Sequence, residues 1–563
     1  MERPWYRFYD EGVPRSMEYP EKTLPDLLRE TAAKYPEKTA TVFFGGQLSY
    51  GELKRQVDAL AASLAGLGVK KGDRVAVMLP NCPQAIISAY AVFTLGAVAV
   101  MTNPLYVERE LGINWGDAGV RTAIILDRLW PRVQKIRQQV GLKDVVVTGV
   151  QDYLPFPKNW FYPLKARLDK AWISIGREEG VLFFKELVAR GGIPPKVDLS
   201  SGELACLQYT GGTTGIPKGA MLTHRNLVCN VAQYLCLFLD RLKEGEERFL
   251  AVMPFFHAYG LTALMNACIS KGWAMILIPR FDLDQMMKAI EKYRVTMFLG
   301  VPTMYTAILN YPRAVDISSI KGCFSGAAPL PVEVMETFEK RTGGRIGEGY
   351  GLTEASPITH VNPIYGKRKS GSVGLPIPNT DAKIMDVETG TRELPGGEMG
   401  EIVIQGPQVM QGYWNRPEET AQTIRDGWLY TGDIGKMDEE GYFYILDRKK
   451  DMIIAGGYNI YPREVEEVLY EHPKILEAAV IGVPDPYRGE TVKAFVVLKP
   501  GERAMPEEVI AFCRERLAAY KVPRLIEFRE TLPKTMIGKV LRKELREAEV
   551  KGAGGKQDEK KPA

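Results

Sequence analysis

Histidine is scarce in this chain: four residues in 563, dispersed, so no imidazole cluster with metal-ligand spacing is readable. Cysteine offers no framework either. Cys82, Cys206, Cys229, Cys236, Cys268, Cys323 and Cys513 are odd in number, scattered and without a C-x-x-C pair. That argues against disulfides and a zinc site, and fits a reducing cytosol. An excess of one charge is missing too. Lys and Arg number 73 against 69 Asp and Glu, for a net charge of +4, so nothing demands a nucleic acid partner. The start, Met1-Glu2-Arg3-Pro4-Trp5-Tyr6, lacks the apolar core of a signal peptide. The longest apolar stretch, 85–101, approaches membrane-span length. Ser88, Thr94, Gly96 and several alanines dilute it, and Asn103-Pro104 end it. The break at Gly96 predicts a buried helix followed by a strand at 97–101.

Hydrophobic residues make up 45% of the chain, enough for a large core, and the length predicts several units or one large and one small. Residues 24–125 alternate helical spacing (53–67) with strand patterns (74–79 and 122–126), and the rhythm resumes across 225–345. This predicts an α/β fold whose large N-terminal domain is built on sheets covered by helices. Glycine and proline cluster in 365–415 around short runs such as 401–405, which reads as a small β-rich subdomain. Beyond Asp447-Arg448-Lys449-Lys450-Asp451, strands at 478–483 and 493–498 alternate with helices at 463–470 and 507–517. That is enough for a small α+β C-terminal domain. The expected domains are therefore 1–447 and 448–550, with 551–563 a disordered Gly/Lys-rich tail. No internal repeat is present.

Residues 153–170 mix Tyr153, Phe156, Trp160, Phe161 and Tyr162 with Lys158, Lys165, Arg167 and Lys170. Aromatic beside basic side chains suit a membrane interface. An aromatic excursion packed on its own domain is the alternative.

The densest chemistry lies in Tyr209-Thr210-Gly211-Gly212-Thr213-Thr214-Gly215-Ile216-Pro217-Lys218-Gly219, after a strand pattern at 204–209. A glycine-rich loop at a sheet edge can turn several N–H groups toward one anion. The three threonines add hydroxyl donors and Lys218 a cation, with Pro217 stiffening the turn. The Walker pattern G-x-x-x-x-G-K-[ST] is not matched, because Lys218 follows Pro217 and precedes Gly219. An ordinary Gly/Thr turn is the bland reading, and a polyphosphate cradle the sharper one.

This run resembles the AMP-binding signature of the adenylate-forming superfamily, which contains acyl-CoA synthetases, luciferases and peptide-synthetase adenylation domains. The resemblance continues in the family's order from about residue 24 to 545. It implies ATP, Mg²⁺ and coenzyme A as cofactors. It places Thr210, Gly211, Gly212, Thr213, Thr214, Gly215 and Lys218 on phosphates. Gly326, Ala327 and Ala328, in Ser325-Gly326-Ala327-Ala328-Pro329, would line one face of adenine. In Gly349-Tyr350-Gly351-Leu352-Thr353-Glu354, Tyr350 between its glycines would lie on the purine, Thr353 near the α-phosphate and Glu354 on the metal, with Thr210 a further metal or phosphate contact. Asp433 in Tyr430-Thr431-Gly432-Asp433, with Arg448, would hold the ribose. Lys450 falls at the family's hinge, about which a mobile C-terminal domain is thought to swing. Lys539, in Pro533-Lys534-Thr535-Met536-Ile537-Gly538-Lys539, would be the catalytic cation on the carboxylate and α-phosphate. Gly456, Gly457 and Tyr458 would flank the coenzyme A channel.

Among these families the chain is most similar to bacterial long-chain fatty acyl-CoA synthetases, through 356–363, 103–106, the aromatic excursion at 153–170 and the run from Asp447 to Pro462. His257, in Pro254-Phe255-Phe256-His257-Ala258, stands where amino-acid-activating relatives usually carry an aspartate. It would line the acyl site or gate thiol approach, and a packed histidine between aromatics stays open. Pro302, Tyr305 and Ser356 are further acyl-site candidates. No tryptophan follows His257, as it does in some long-chain relatives, so chain length stays open. The resemblance thus implies a ligase acting on a fatty acid in the cytoplasm; residues 153–170 add the expectation of peripheral contact at the inner face of the membrane, and the oligomeric state, homodimer included, stays open. A ligase for medium-chain or aromatic acids is one rival. An inactive membrane-associated acyl-binding or uptake protein is another.

Overall fold

The stretch 85–101 becomes the helix Pro83–Thr94 and the strand Val98–Met101, divided at Gly96 with φ of 64°. Pro83 opens the helix, where its missing N–H has no partner to lose. Every helical residue through Phe93 is buried, as expected of a helix that is apolar all round. No helix among the described residues is long and apolar enough to cross a membrane. The computed structural model describes residues 3–554, apart from 170–171, 211–216, 240, 327–329, 456–457, 487 and 536–539.

The chain is α/β and packs as two units: Met1–Asp381 with Ile404–Leu429, and Ala382–Val403 with Tyr430–Ala563. In the first unit a seven-stranded sheet runs in the order Val181–Phe183, Asp144–Thr148, Thr122–Leu126, Arg74–Met78, Val98–Met101, Leu204–Thr210, Lys218–Thr223. All of its pairings are parallel except the last, a hairpin at the sheet edge. The helix Tyr50–Gly66 packs on Pro83–Thr94. It starts where 53–67 predicted, three residues early, because Ser49 and Glu52 form a capping box: Ser49 Oγ accepts from Glu52 N and Glu52 returns an acceptor to Ser49 N.

The second sheet of this unit has nine strands. At its centre Arg345–Gly351, Gly322–Ser325, Met297–Gly300, Arg248–Ala251 and Ala274–Leu277 lie side by side and parallel. Ile358–Val361 adds antiparallel beyond Arg345–Gly351. The strand order reverses between Arg248–Ala251 and Met297–Gly300, since the strand that follows Arg248–Ala251 in the chain lies on its other side. In open α/β sheets that reversal leaves a crevice at the carboxyl ends.

The helix His224–Leu235 ties the site segments to these sheets. Thr223 caps it, accepting from Asn226 N at 3.0 Å. Asn226, Asn230 and Gln233 recur at helical spacing and direct their amides to backbone elsewhere. Asn226 Nδ2 donates to Pro407 O and Val409 O, each at 2.8 Å. Buried Asn230 donates to Ile358 O at 2.8 Å and accepts from Ile358 N at 3.0 Å. Gln233 Nε2 donates to Pro378 O at 2.7 Å.

In the second unit the C-terminal sheet orders Tyr458–Ile460, Ile453–Ala455, Gly489–Leu498 and Ile475–Asp485, with Leu525–Phe528 parallel on Gly489–Leu498. Helices Pro462–Tyr470 and Pro506–Arg514 accompany it, the second ending three residues before the expected 517. Contacts group the β-rich stretch differently from its order along the chain. The β-rich stretch 365–415 is not one body: 382–403 pack with the second unit and 404–429 with the first. Pairing rather than chain order decides this, because Gly400–Gln405 neighbours Trp428–Met437, which pairs onward with Phe443–Arg448. Residues 447 and 448 accordingly fall in the same packed unit. The last helix, Arg542–Gly554, also takes in the first residues of the expected tail, and 555–563 lie outside the described residues.

Asn230→Ala removes both partners of the Ile358 peptide in a dry interior. It should cost about 2–4 kcal/mol, the desolvation penalty of two stranded groups. Urea unfolding followed by tryptophan fluorescence should show a lower midpoint, and an unchanged midpoint would refute the anchoring role.

Candidate active site

Several of the sequence candidates fall along one edge of the nine-stranded sheet, at the carboxyl ends of neighbouring parallel strands. His257 follows Arg248–Ala251, Pro302 follows Met297–Gly300, Gly326 follows Gly322–Ser325, and Gly349, Tyr350 and Gly351 end Arg345–Gly351. His257 and Pro302 thus flank the reversal of strand order. Asn81, at the end of the neighbouring sheet's Arg74–Met78, fixes the approach to His257. Its amide donates to Ala251 O and Met253 O and accepts from Phe255 N, at 2.8–2.9 Å. His257 is half-buried, its Nδ1 3.3 Å from Tyr259 N. It precedes the π-helix Tyr259–Asn266, a rare geometry that recurs at functional sites. There Gly260 packs its Cα against the Pro254 carbonyl so closely that any Cβ would collide. Tyr259 and Tyr305 both donate to Phe324 O, at 3.2 and 2.7 Å. The acyl candidates and the adenine candidate Gly326 therefore share one wall. Tyr305 is fully buried with its hydroxyl engaged, so it builds that wall from behind. Ala327 and Ala328 lie outside the described residues.

Tyr350 is half-exposed and pairs in register with His360, their rings 5.7 Å apart. A Cβ at Gly351 would strike the Pro357 carbonyl, so only glycine admits this close return of the chain. Thr353 and Glu354 follow in a short 3₁₀ turn, half-exposed, closed by buried Ser356 at φ of 68°. Ser356 is thus held in left-handed backbone that non-glycine residues seldom adopt. Glu354 is the carboxylate here that could take a divalent cation. Its Oε1 accepts from the Tyr413 hydroxyl at 2.8 Å, and its carbonyl accepts from Met410 N at 2.8 Å. Burial, together with the Glu354 charge, pushes the Tyr413 hydroxyl well above its ordinary pKa, so it remains a donor.

Thr210 and Lys218 end the two hairpin strands opposite each other. Residues 211–216, including Gly211, Gly212, Thr213, Thr214 and Gly215, lie outside the described residues. Residues 411–414 run along Lys218–Thr223, with Trp414 N on Gly219 O at 2.8 Å and Met221 N on Gly412 O at 2.9 Å. This brings the Tyr413 ring 5.2 Å below Lys218 Nζ, within cation–π range. Tyr413 therefore joins Lys218 to Glu354. Lys218 also pairs with Glu419 at 2.5 Å. Arg416 lies 3.8 Å from Glu419 and 3.3 Å from Asp117, which accepts from the Tyr209 hydroxyl at 2.7 Å.

In the second unit Asp433 and Arg448 are register partners on Trp428–Met437 and Phe443–Arg448, ion-paired at 2.7 Å. Asp433 N donates to Thr431 Oγ1 at 3.1 Å. Glu401 accepts from Gly432 N at 3.0 Å and pairs with Lys449 at 2.9 Å. Lys450 is exposed in the turn after Arg448. Gly456, Gly457 and Lys539 lie outside the described residues, and of Tyr458 only the backbone, paired to Ala455, is described.

Sequence reasoning missed Tyr413, Glu419, Asp117, Glu401 and Asn81. Each has its partners far away in the chain, on a candidate or on the segments beside one, so no local spacing announces it. The nearest signal was the dense polar run Tyr413-Trp414-Asn415-Arg416-Pro417-Glu418-Glu419 after a glycine.

A lysine-ended hairpin joined to a hard carboxylate, beside the carboxyl edge of a parallel sheet, defines an α/β enzyme site suited to a phosphate ester and a divalent cation. Comparison then gives the family. The AMP-binding enzyme profile matches residues 28–414, and that of the AMP-binding enzyme C-terminal domain matches 464–539. The chain belongs to the AMP-binding enzyme family. It is 52% identical over 554 residues to a long-chain-fatty-acid–CoA ligase of Bacillus subtilis (strain 168), covering 97% of this chain and 98% of that one. It is 38% identical to a feruloyl-CoA synthase of Amycolatopsis sp, covering 91% and 96%. Its structure resembles the ATP-bound crystal structure of MatB from Rhodopseudomonas palustris, with a TM-score of 0.82, 31% identity, and 94% and 99% coverage.

Removing the donor that orients a metal-ligating carboxylate typically weakens the metal 10–100-fold. Tyr413→Phe should therefore lower affinity for Mg²⁺-nucleotide by about tenfold or more, read by isothermal titration. Equal affinity in the variant would show that Tyr413 only packs.

Proposed function

We propose that this protein is an ATP-dependent long-chain fatty acid–coenzyme A ligase. The observation that carries the chemistry is the Lys218–Tyr413–Glu354 cluster beside the strand ends that bear Gly326 and Tyr350. A carboxylate oxygen of the acid attacks the α-phosphorus of ATP. The bond to the β-phosphate breaks, pyrophosphate leaves with the electron pair, and acyl-AMP remains. The coenzyme A thiol, losing its proton, then attacks the acyl carbon, and AMP leaves as the thioester forms.

The first step asks for in-line placement and charge neutralisation more than proton transfer. That suits a chain with four histidines. Lys218 and the loop 210–215 hold the departing phosphates. Glu354, kept in place by Tyr413 and half-exposed, fits Mg²⁺, which favours hard oxygens and keeps several waters. When bound, that ion would neutralise phosphate charge. Tyr350 and Gly326–Ala328 take adenine, Thr353 approaches the α-phosphate, and Asp433 with Arg448 takes the ribose. Lys539 offsets the charge gathering around the attacked phosphorus. Gly456, Gly457 and Tyr458 guide coenzyme A. Domains 1–447 and 448–550 turn about Lys450 between the two steps.

The acyl group belongs in the crevice between His257 and Pro302, where the strand order reverses. The long-chain assignment follows the 52% identical relative. The feruloyl-CoA synthase relative favours a second reading, an aromatic acid in a shorter pocket. The reaction takes place in the cytoplasm, with peripheral contact at the inner membrane face, where a long-chain acid partitions.

Two measurements test this. A panel of acids with ATP and coenzyme A should favour palmitate and oleate. Benzoate or cinnamate turning over about tenfold faster, a 1.4 kcal/mol preference, would overturn the long-chain reading. Lys539→Ala should nearly abolish pyrophosphate release yet still form thioester from supplied acyl-AMP; equal loss of both steps would remove its assigned role.

A further inference from the structure

The segment singled out at 153–170 packs Tyr153 against Phe184 but leaves Phe156, Trp160 and Phe161 exposed. It forms the helix Lys158–Leu168 on the first unit. Trp160, Phe161, Leu164 and Leu168 stay exposed, Trp160 at 74% and Leu168 at 76%. At about 100° per residue these four fall within an arc of about 100°. Ala166 lies opposite that arc and is the helix's one buried residue. Phe156, 81% exposed just before the helix, extends the patch. So does Phe44, on the turn whose carbonyl Lys158 Nζ holds at 2.9 Å. The Tyr162 hydroxyl, beyond Lys158 on the same flank, accepts from Arg128 at 2.9 Å.

Charge completes the pattern. Lys158 and Lys165 border one side of the apolar arc and Arg167 the other, and residues 154–168 contain no acid. A cluster of exposed aromatic and aliphatic side chains rimmed by cations is the form of a helix lying in a lipid interface. The helix has 11 residues, about 16 Å of length against about 30 Å of hydrocarbon, so it lies on a bilayer rather than crossing it. A two-fold contact with a second copy would set this cationic rim against itself.

We propose that this helix, with Phe44 and Phe156, docks the protein on an anionic phospholipid bilayer. Trp160, Phe161, Leu164 and Leu168 enter the headgroup–acyl boundary, and Lys165 and Arg167 meet the lipid phosphates. The proposal rests on the ligase reading above and gives its membrane contact a surface and a lipid class. An acid dissolved in the bilayer is then drawn by an enzyme already resident on it.

The test is co-sedimentation of the full-length protein with vesicles of phosphatidylcholine alone or with about 30% phosphatidylglycerol. The protein should bind the anionic vesicles more tightly. The quadruple variant Trp160→Ser, Phe161→Ser, Leu164→Ser, Leu168→Ser should lose binding at least about tenfold. The pair Lys165→Gln, Arg167→Gln should lose only the preference for phosphatidylglycerol. Both should convert decanoate, presented without lipid, at the unmodified rate, which shows that they are folded. A quadruple variant that pellets like the unmodified protein would overturn the proposal. So would a dimer, seen by sedimentation velocity without lipid, that the quadruple variant abolishes. Vesicle binding as expected without acyl-CoA formation would leave the docking surface standing and reject the ligase reading.

Discussion

The candidate active site depends on one polar helix face. Asn226, Asn230 and Gln233 satisfy backbone groups at 358, 378, 407 and 409 from a single helix. The first of these opens a strand and the others lie in irregular chain, and backbone drawn away from water is stable only if its amides and carbonyls find partners. The amides supply them at fixed distance. The helix starts directly after Lys218–Thr223, so the strand that begins at Lys218 is continuous with the element holding both flanks of Glu354. Glu354 itself is closed in by Met410 N, one residue beyond the anchored Val409. Placement of cation and carboxylate is thus one mechanical problem, solved by side chains that never touch a substrate.

The electrostatics follow from the same economy of parts. Lys218 is mostly buried, and a buried ammonium without a partner is costly. Glu419 and the face of Tyr413 supply its partners. A phosphate oxygen entering the hairpin competes with Glu419 for a cation already dehydrated and aimed. Glu354, by contrast, receives a neutral donor from Tyr413, which orients the carboxylate without cancelling its charge. Arg416 and Asp117 continue the chain of charges to the Tyr209 hydroxyl on the strand Leu204–Thr210.

Much of the fold was legible because hydrophobic periodicity is local. The strand Thr122–Leu126 was read to the residue, and the helices beginning near 53 and 463 within a few positions. The β-rich character of 365–415 was legible, but alternation says only that strands exist, while pairing across tens of residues says to which body they belong. Asp433 and Arg448 were paired as ribose candidates by the resemblance alone, and the strand register sets them side by side. Tyr413 and Asn230 were invisible for the opposite reason. Their significance lies entirely in partners 59 and 128 residues away. The helix Lys158–Leu168 shows where composition stops: aromatic and basic residues were counted correctly, but which way they faced needed the buried Ala166.

Within the second unit, the segment bearing the hinge candidate is not a loose linker. Buried Asp447 accepts from Arg448 N and Arg463 N, and burial still raises its carboxyl to about 6. Arg542 lies within 3.7 Å of Asp447, 3.5 Å of Asp451 and 2.6 Å of Glu466, and Arg546 pairs with Asp451 at 2.9 Å. Removing one partner from such a buried network typically costs about 3–5 kcal/mol, because an uncompensated charge remains. The turn 447–451 is therefore fastened to the helix Arg542–Gly554. That helix begins two residues after Val540, whose bridge to Lys534 brackets the motif containing Lys539. The turn that carries Lys450 and the helix that follows Val540 are thus joined through Arg542 and Arg546 within one packed unit.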